Sequence, residues 1–260
     1  MKPSKSYNIL RINKDSVKNE EDLIILEYPF TIFIDDEEII TLLCSPKSLE
    51  YLAIGFLYSE GFIESYSAIK NIQIDEDKGS AYINLNIRKT FNEKLQGKRT
   101  ITSGCGKGTV FYNVLDSFKS KKITNTIDIK SNEIVDLMRS FNKDSELFNS
   151  TGGVHACAIC NEHGIIYFEE DIGRHNALDK VLGKALVENM DLSDKIILTS
   201  GRISSEMLIK AAKRGIPVVV SRSAPTSLAV DMARELNITL VGFVRGEKMN
   251  IYSSFPSLKF

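Results

Sequence analysis

The sequence is short of what several function classes require. Four cysteines in 260 residues do not make a disulfide framework, so a reducing compartment is expected. Three histidines, His155, His163 and His175, leave little material for an imidazole metal centre. No uninterrupted apolar stretch approaches the length of a membrane span. The polar start Met1-Lys2-Pro3-Ser4-Lys5 has no apolar core leading to a small-residue cleavage site, so it does not read as a secretory signal. Excess charge of one sign is missing too: the formal net charge is −1, and bulk attraction to nucleic acid or anionic membrane is not implied. A soluble cytoplasmic protein without nucleic-acid or membrane partners is the expectation. Any anion site must come from local arrangement.

What is present is ordinary globular usage, with 43% apolar and 26% charged residues, in a chain long enough for a sizeable core and for one or two domains. The first half reads as α+β. Apolar runs from Asp22 to Tyr28 and from Ile39 to Leu43 flank the acidic turn Asp35-Asp36-Glu37-Glu38 and suggest a hairpin. Pro46 to Glu60 has helical spacing, with Gly61 as its C-cap. Ile83, Leu85 and Ile87 alternate with polar residues as a half-buried strand does. Val110 to Phe118 reads as a short helix before Lys119-Ser120-Lys121-Lys122 breaks the pattern. That break divides the chain into residues 1–122, an α+β domain carrying a cysteine loop, and residues 123–260. In the second part a helix from Asn132 to Phe141 is followed by a strand at Lys195 to Thr199, a helix at Ser204 to Lys213, a strand at Ile216 to Ser221, a helix at Thr226 to Leu236 and a strand at Ile238 to Phe243. This alternation argues for βαβ units and parallel pairing. Ligands of such sheets collect at the carboxyl ends of the strands.

Polar and cationic residues sit at those ends. Gly173-Arg174-His175 opens an amphipathic run, and Arg202, Arg222 and Arg245 each follow a strand. Arginine grips phosphate with two hydrogen bonds, and His175 can donate a hydrogen bond or a proton. In the plainer reading, Arg174 pairs with Glu169, Glu170 or Asp171 at a helix start. His155 follows the turn Thr151-Gly152-Gly153, which could present it to a cleft. In His155-Ala156-Cys157-Ala158-Ile159-Cys160 the two thiols look like part of a buried apolar strand. Cys105 is different. It stands in Ser103-Gly104-Cys105-Gly106-Lys107-Gly108, where flanking glycines permit unusual turns and Lys107 favours the thiolate; an ordinary surface cysteine is the plain alternative. The loop is not a P-loop, because Ile101 replaces the first glycine and Gly108 the magnesium-binding Ser or Thr.

At these residues the chain resembles the FdhD/NarQ family of formate dehydrogenase accessory sulfurtransferases. The likeness runs through Ser45-Pro46-Lys47-Ser48-Leu49-Glu50-Tyr51, Ser103-Gly104-Cys105-Gly106, Thr151-Gly152-Gly153-Val154-His155-Ala156, Glu170 to Lys180, Ser200 to Met207, Ala224-Pro225-Thr226 and Leu240 to Phe243. It implies an α/β protein, α+β overall, whose second domain is cytidine-deaminase-like without catalytic zinc or any other metal site. It also implies a homodimer that takes sulfur from a cysteine desulfurase as a persulfide on Cys105. The acceptor is the molybdenum or tungsten bis-molybdopterin guanine dinucleotide cofactor, destined for apo formate dehydrogenase. The segment Val244, Arg245, Gly246, Glu247, Lys248 and Met249 matches the family's cofactor-binding stretch, with Arg174, His175, Arg202 and His155 as further candidates. Many members carry a second loop cysteine where this chain has Gly108, so Cys105 acts alone unless Cys157 or Cys160 approaches it.

Two rivals have definite requirements. A zinc nucleoside deaminase needs H-x-E and P-C-x-x-C, but Cys157 stands where the glutamate should be and no proline precedes a C-x-x-C. A non-enzymatic cofactor chaperone would leave Cys105 incidental.

Overall fold

The computed structural model describes residues 1–14, 16–86, 122–125, 127–255 and 258–259. Cys105, Ile87, the helix expected at Val110 to Phe118 and the Lys119 to Lys121 part of the expected break lie outside the described residues.

Ser4–Asn13 (β1) and Ser16–Ile25 (β2) form an antiparallel ribbon, paired continuously from Ser4 with Ile25 to Asn13 with Ser16. On one face Arg11 bridges Glu20 at 2.7 Å and Asp22 at 3.6 Å, while Leu10, Ile12, Val17 and Leu23 stand exposed on the other. The hairpin around the acidic turn is present, but its first arm is Tyr28–Ile34 (β3), paired with Glu37–Cys44 (β4). The run from Asp22 to Tyr28 is divided between two strands: pairing with β1 carries through Ile25 to Leu26, whose N–H donates to Pro3 O at 2.7 Å, and β3 begins at Tyr28. Asp35 and Asp36 have φ of 47° and 69°, the two left-handed residues that a tight hairpin turn of matching twist requires.

Leu49–Glu60 (α1) begins three residues after Pro46, since Ser48 is left-handed at φ 54°, and ends at Gly61 with φ 82°. Ile69–Asp75 (β5) and Ser80–Leu85 (β6) complete a sheet of order β4-β3-β6-β5, with β3 and β6 parallel. Phe30, Ile32 and Ile34 from β3 pack with Leu52, Ala53 and Leu57 of α1 into the first core.

Ile129–Lys130 (β7), Ser131–Lys143 (α2) and Glu146–Thr151 (α3) lead into His155–Asn161 (β8) and Gly164–Asp171 (β9). Arg174–Val187 (α4), Ile196–Thr199 (β10), Ser205–Lys213 (α5), Val218–Ser221 (β11), Ser227–Glu235 (α6), Thr239–Arg245 (β12), Lys248–Ser253 (β13) and Leu258–Lys259 (β14) follow. The main sheet has order β13-β12-β11-β10-β8-β9, and only β10 with β11 and β11 with β12 are parallel. It is therefore mixed, not an all-parallel sheet. Ile197, Val219 and Leu240 point to the face covered by α4, α5 and α6, whereas Leu198, Val220 and Val241 point to the face covered by α2. Ser204 and Thr226 cap α5 and α6 by accepting from Met207 N and Ala229 N, each worth about 1 kcal/mol. No helix among the described residues is long and apolar enough to cross a membrane.

The two sheets are joined where α1 crosses α4. A Cβ on Gly55 would lie 1.7 Å from Asp179 O, and one on Gly183 would lie 2.0 Å from Tyr51 O. Only glycine permits so close a backbone contact. Around the crossing, buried Lys210 pairs with Asp179 at 2.7 Å and Glu60 at 3.1 Å, and Ser59 Oγ donates to Asp179 at 2.7 Å. Burial opposes the Lys210 charge, yet Asp179 and Glu60 hold its pKa above the ordinary lysine value.

Candidate anion-binding site

The turn between β9 and α4 is built on Asp171, which is fully buried. One carboxylate oxygen accepts from Gly173 N–H and Asn176 Nδ2, both at 2.9 Å, and the other accepts from Ser45 N–H at 3.0 Å and pairs with Lys180 at 2.7 Å. The anchor thus ties the N-terminal sheet to the first residues of α4.

Arg174, the first residue of α4, lies against the Ser200-Gly201 turn after β10. A Cβ on Gly201 would meet Arg174 Cβ at 3.1 Å and His155 Nδ1 at 3.3 Å. Each of the acids proposed from sequence as its partner is engaged elsewhere. Glu169 accepts from Ser48 Oγ at 2.9 and 2.8 Å, Glu170 accepts from the amides of Leu147 and Phe148 at 2.9 Å, and Asp171 is committed to Lys180. Arg174 Nε is buried with no hydrogen-bond partner. Burial, and then the Arg202 charge, hold the Arg174 pKa below its ordinary value, with Glu206 countering in part. A buried guanidinium N–H left without an acceptor suits a negative ligand.

His155 opens β8 from the same side. Its Nδ1 lies 3.5 Å from Ser200 Oγ, which itself accepts from Ala156 N–H at 3.0 Å. Burial, followed by Arg174, Arg202 and His175, pushes the His155 pKa below the ordinary histidine value. His175 Nε2 lies 3.1 Å from Glu206 and 3.4 Å from Ser204 Oγ.

The structure therefore brings His155, Arg174, His175 and Arg202 together. Arg245 stands farther along the same edge of the sheet, at the end of β12, two strands or about 10 Å from the end of β10. Its Nε donates to Arg222 O at 3.2 Å, while Arg222 itself reaches Asn142 Oδ1 at 3.2 Å beside α2. In the segment from Val244 to Met249, Val244 is buried and Met249 packs on the core; Arg245, Gly246, Glu247 and Lys248 are exposed around the turn into β13. Sequence reasoning assigned no role to Glu206 or Ser200. An acid in the first turn of a helix and a serine after a strand are too common to signal one.

Cys157 and Cys160 lie in the core, as their apolar neighbours suggested, and Cys44 is buried as well. Burial pushes the thiols of Cys44 and Cys160 up to about 12, and that of Cys157 upward as well. None is poised as a thiolate. Among the described residues no three His, Cys, Asp or Glu side chains are grouped to hold a metal ion.

Residues 25–258 match the FdhD/NarQ family. The chain belongs to this family. It is 45% identical over 252 residues to the sulfur carrier protein FdhD of Listeria monocytogenes, covering 96% of this chain and 97% of that one. The sulfur carrier protein FdhD of Bacillus subtilis is 43% identical over 246 residues, covering 95% and 94%. A crystal structure from Desulfotalea psychrophila, described as a candidate formate dehydrogenase accessory protein, superposes with a TM-score of 0.77 at 25% identity over 97% of this chain and 98% of that one. The family match takes in the whole basic cluster but only the last residue, Ile25, of the ribbon formed by β1 and β2.

Proposed function

We propose that this chain is a sulfur carrier serving formate dehydrogenase. It takes sulfane sulfur from a cysteine desulfurase onto Cys105 and passes it to a molybdenum or tungsten cofactor that bears two guanine dinucleotides. Relatives named as sulfur carriers support the first part, and the likeness to a formate dehydrogenase accessory protein supports the second. The observation that carries the acceptor is the buried Arg174 Nε without a partner, among Arg202, His155 and His175. Arg174 and Arg202 would hold phosphate oxygens by charge-assisted hydrogen bonds, with Arg245 and Lys248 farther along the edge. The reading includes a cytoplasmic location and a homodimer. A mixed sheet with helices on both faces supports the cytidine-deaminase-like description of the second half.

In the loading step the Cys105 thiolate attacks the terminal sulfur of the donor persulfide. A new S–S bond to Cys105 forms as the donor's S–S bond breaks, and the donor cysteine leaves as its thiolate. No outside oxidant is consumed. The buried thiols, held protonated, do not compete for the sulfur.

Mass spectrometry after incubation with a desulfurase and cysteine tests the reading. One added sulfur is expected on the Cys105 peptide. Absence of that gain, with activation of formate dehydrogenase unimpaired in Cys105→Ala, would leave a cofactor chaperone as the better account.

A further inference from the structure

A carboxylate stands inside the basic cluster. Glu206, in the first turn of α5, reaches His175 Nε2 on α4 at 3.1 Å, and its side chain is only 14% exposed. Its charge also acts on Arg174, countering part of the depression that burial and Arg202 produce there. An acid at the start of a helix commonly complements the helix dipole. That role alone would make Glu206 a hindrance, because a fixed negative charge repels the anion that the arginines attract.

Its place against His175 gives it a use. A neutral imidazole carries one N–H, and the hydrogen bond made by one ring nitrogen decides what the other can do. Nε2 has two neighbours, Glu206 at 3.1 Å and Ser204 Oγ at 3.4 Å. Ser204 Oγ already accepts from Met207 N–H as the cap of α5, so the carboxylate is both the nearer and the stronger acceptor. The Nε2 proton therefore goes to Glu206, and Nδ1 is the nitrogen left for a ligand. With a bare lone pair Nδ1 repels phosphate; with a second proton it donates to it. Arg174 on the same helix, Arg202 after β10 and His155 on β8 bring positive charge to the cluster or none, and Asp171 is committed to Lys180. Glu206 is the counter-charge at hand for a doubly protonated ring. We propose that Glu206 is a positioning residue that makes His175 a phosphate donor: it holds Nε2–H, so that Nδ1 takes a proton from solvent as the anion binds and donates it to a phosphate oxygen. The inference rests on the anion-site reading given above.

The sign of one substitution decides the matter. If Glu206 only complements the dipole of α5, Glu206→Gln removes a repulsive charge and tightens the binding of inorganic pyrophosphate and of GDP. As the holder of His175, its loss should instead weaken both by on the order of tenfold in calorimetry, with folding checked by a thermal melt. In a His175→Gln background the same substitution should no longer weaken either ligand, because the donor it served is gone. Heteronuclear NMR of histidine-labelled protein gives an independent readout, since the chain has three histidines and His175→Gln identifies the signal. Above neutral pH the free wild-type ring should carry its proton on Nε2 and gain one on Nδ1 with pyrophosphate, and in Glu206→Gln that gain should be absent. The wild-type spectra decide even if the variant fails to fold. Tighter binding by Glu206→Gln, or an Nε2 without its proton in the free wild type, overturns the role of Glu206 and leaves the anion site standing. Failure of wild-type protein to bind either pyrophosphate or GDP overturns both.

Discussion

Arg174 lays its aliphatic stem on Gly201, so that a methyl group at position 201 would stand 3.1 Å from Arg174 Cβ and 3.2 Å from Cδ. The guanidinium is thereby aimed by a glycine on a neighbouring strand end. Gly201→Ala should displace Arg174 and His155 by a few tenths of an ångström and weaken GDP while the protein stays folded. Calorimetry beside a thermal melt separates the two effects.

Arg174→Gln should weaken GDP by more than tenfold, since hydrogen bonds to charged groups contribute about 1.5 to 3 kcal/mol each. Arg245→Ala should weaken it in the same direction. Loading Cys105 is an exchange between sulfur atoms that needs no grip on phosphate, so sulfur loading by a desulfurase should persist in both variants. Loss of loading together with binding would contradict separate sites.

His155 is held below the ordinary histidine value by burial and then by Arg174, Arg202 and His175. In the free folded protein it binds fewer protons than in the unfolded chain. Its contribution to stability is therefore present above the unfolded value of about 6.5 and is lost as pH falls through the lower folded value. A bound diphosphate reverses the electrostatic part of that depression, so binding takes up protons and tightens as the pH is lowered from 8. Calorimetry in two buffers of different ionisation enthalpy should detect the uptake in wild type, and His155→Gln should reduce it.

Lys180→Met leaves Asp171 buried without its counter-charge, and the expected destabilisation is about 3 to 5 kcal/mol. The double variant Lys180→Met, Asp171→Leu should recover part of that loss. Denaturant titration of the single and double variants measures the difference.

Cys105→Ala should leave the melting temperature unchanged and abolish sulfur loading. Cys157→Ala and Cys160→Ala should lower stability by about 1 kcal/mol or slightly more with loading intact. Loss of loading at unchanged stability in either core variant would reveal a relay.

The second half of the fold was legible because strand and helix signals there are local. Ser204 and Thr226 cap their own helices; in the first half, α1 was legible for the same reason, since Gly61 ends it where the periodicity stops. Other elements depend on distant partners. The amides that open α3 are satisfied by Glu170, more than twenty residues away, and no local pattern announces that short helix. The β1–β2 ribbon turns near Lys14, left-handed at φ 43°, without the glycine that would mark a hairpin. At the site, the clustering of arginines at strand ends could be read from the sequence. The pairing of their acidic neighbours could not, because it was decided by Ser48, Lys180 and the backbone of α3.

The crossing of α1 and α4 also governs how the molecule comes apart. Separating the helices would part Lys180 and Asp171 from Ser45, and Lys210 and Asp179 from Glu60 and Ser59. Partial opening thus breaks several charge-assisted hydrogen bonds together without the entropy gained by full unfolding. The N-terminal sheet and the mixed sheet should melt in one calorimetric transition, with equal van't Hoff and calorimetric enthalpies. Cooperativity in this protein would then reside in charge, at a junction where apolar contacts alone would have let the halves loosen one at a time.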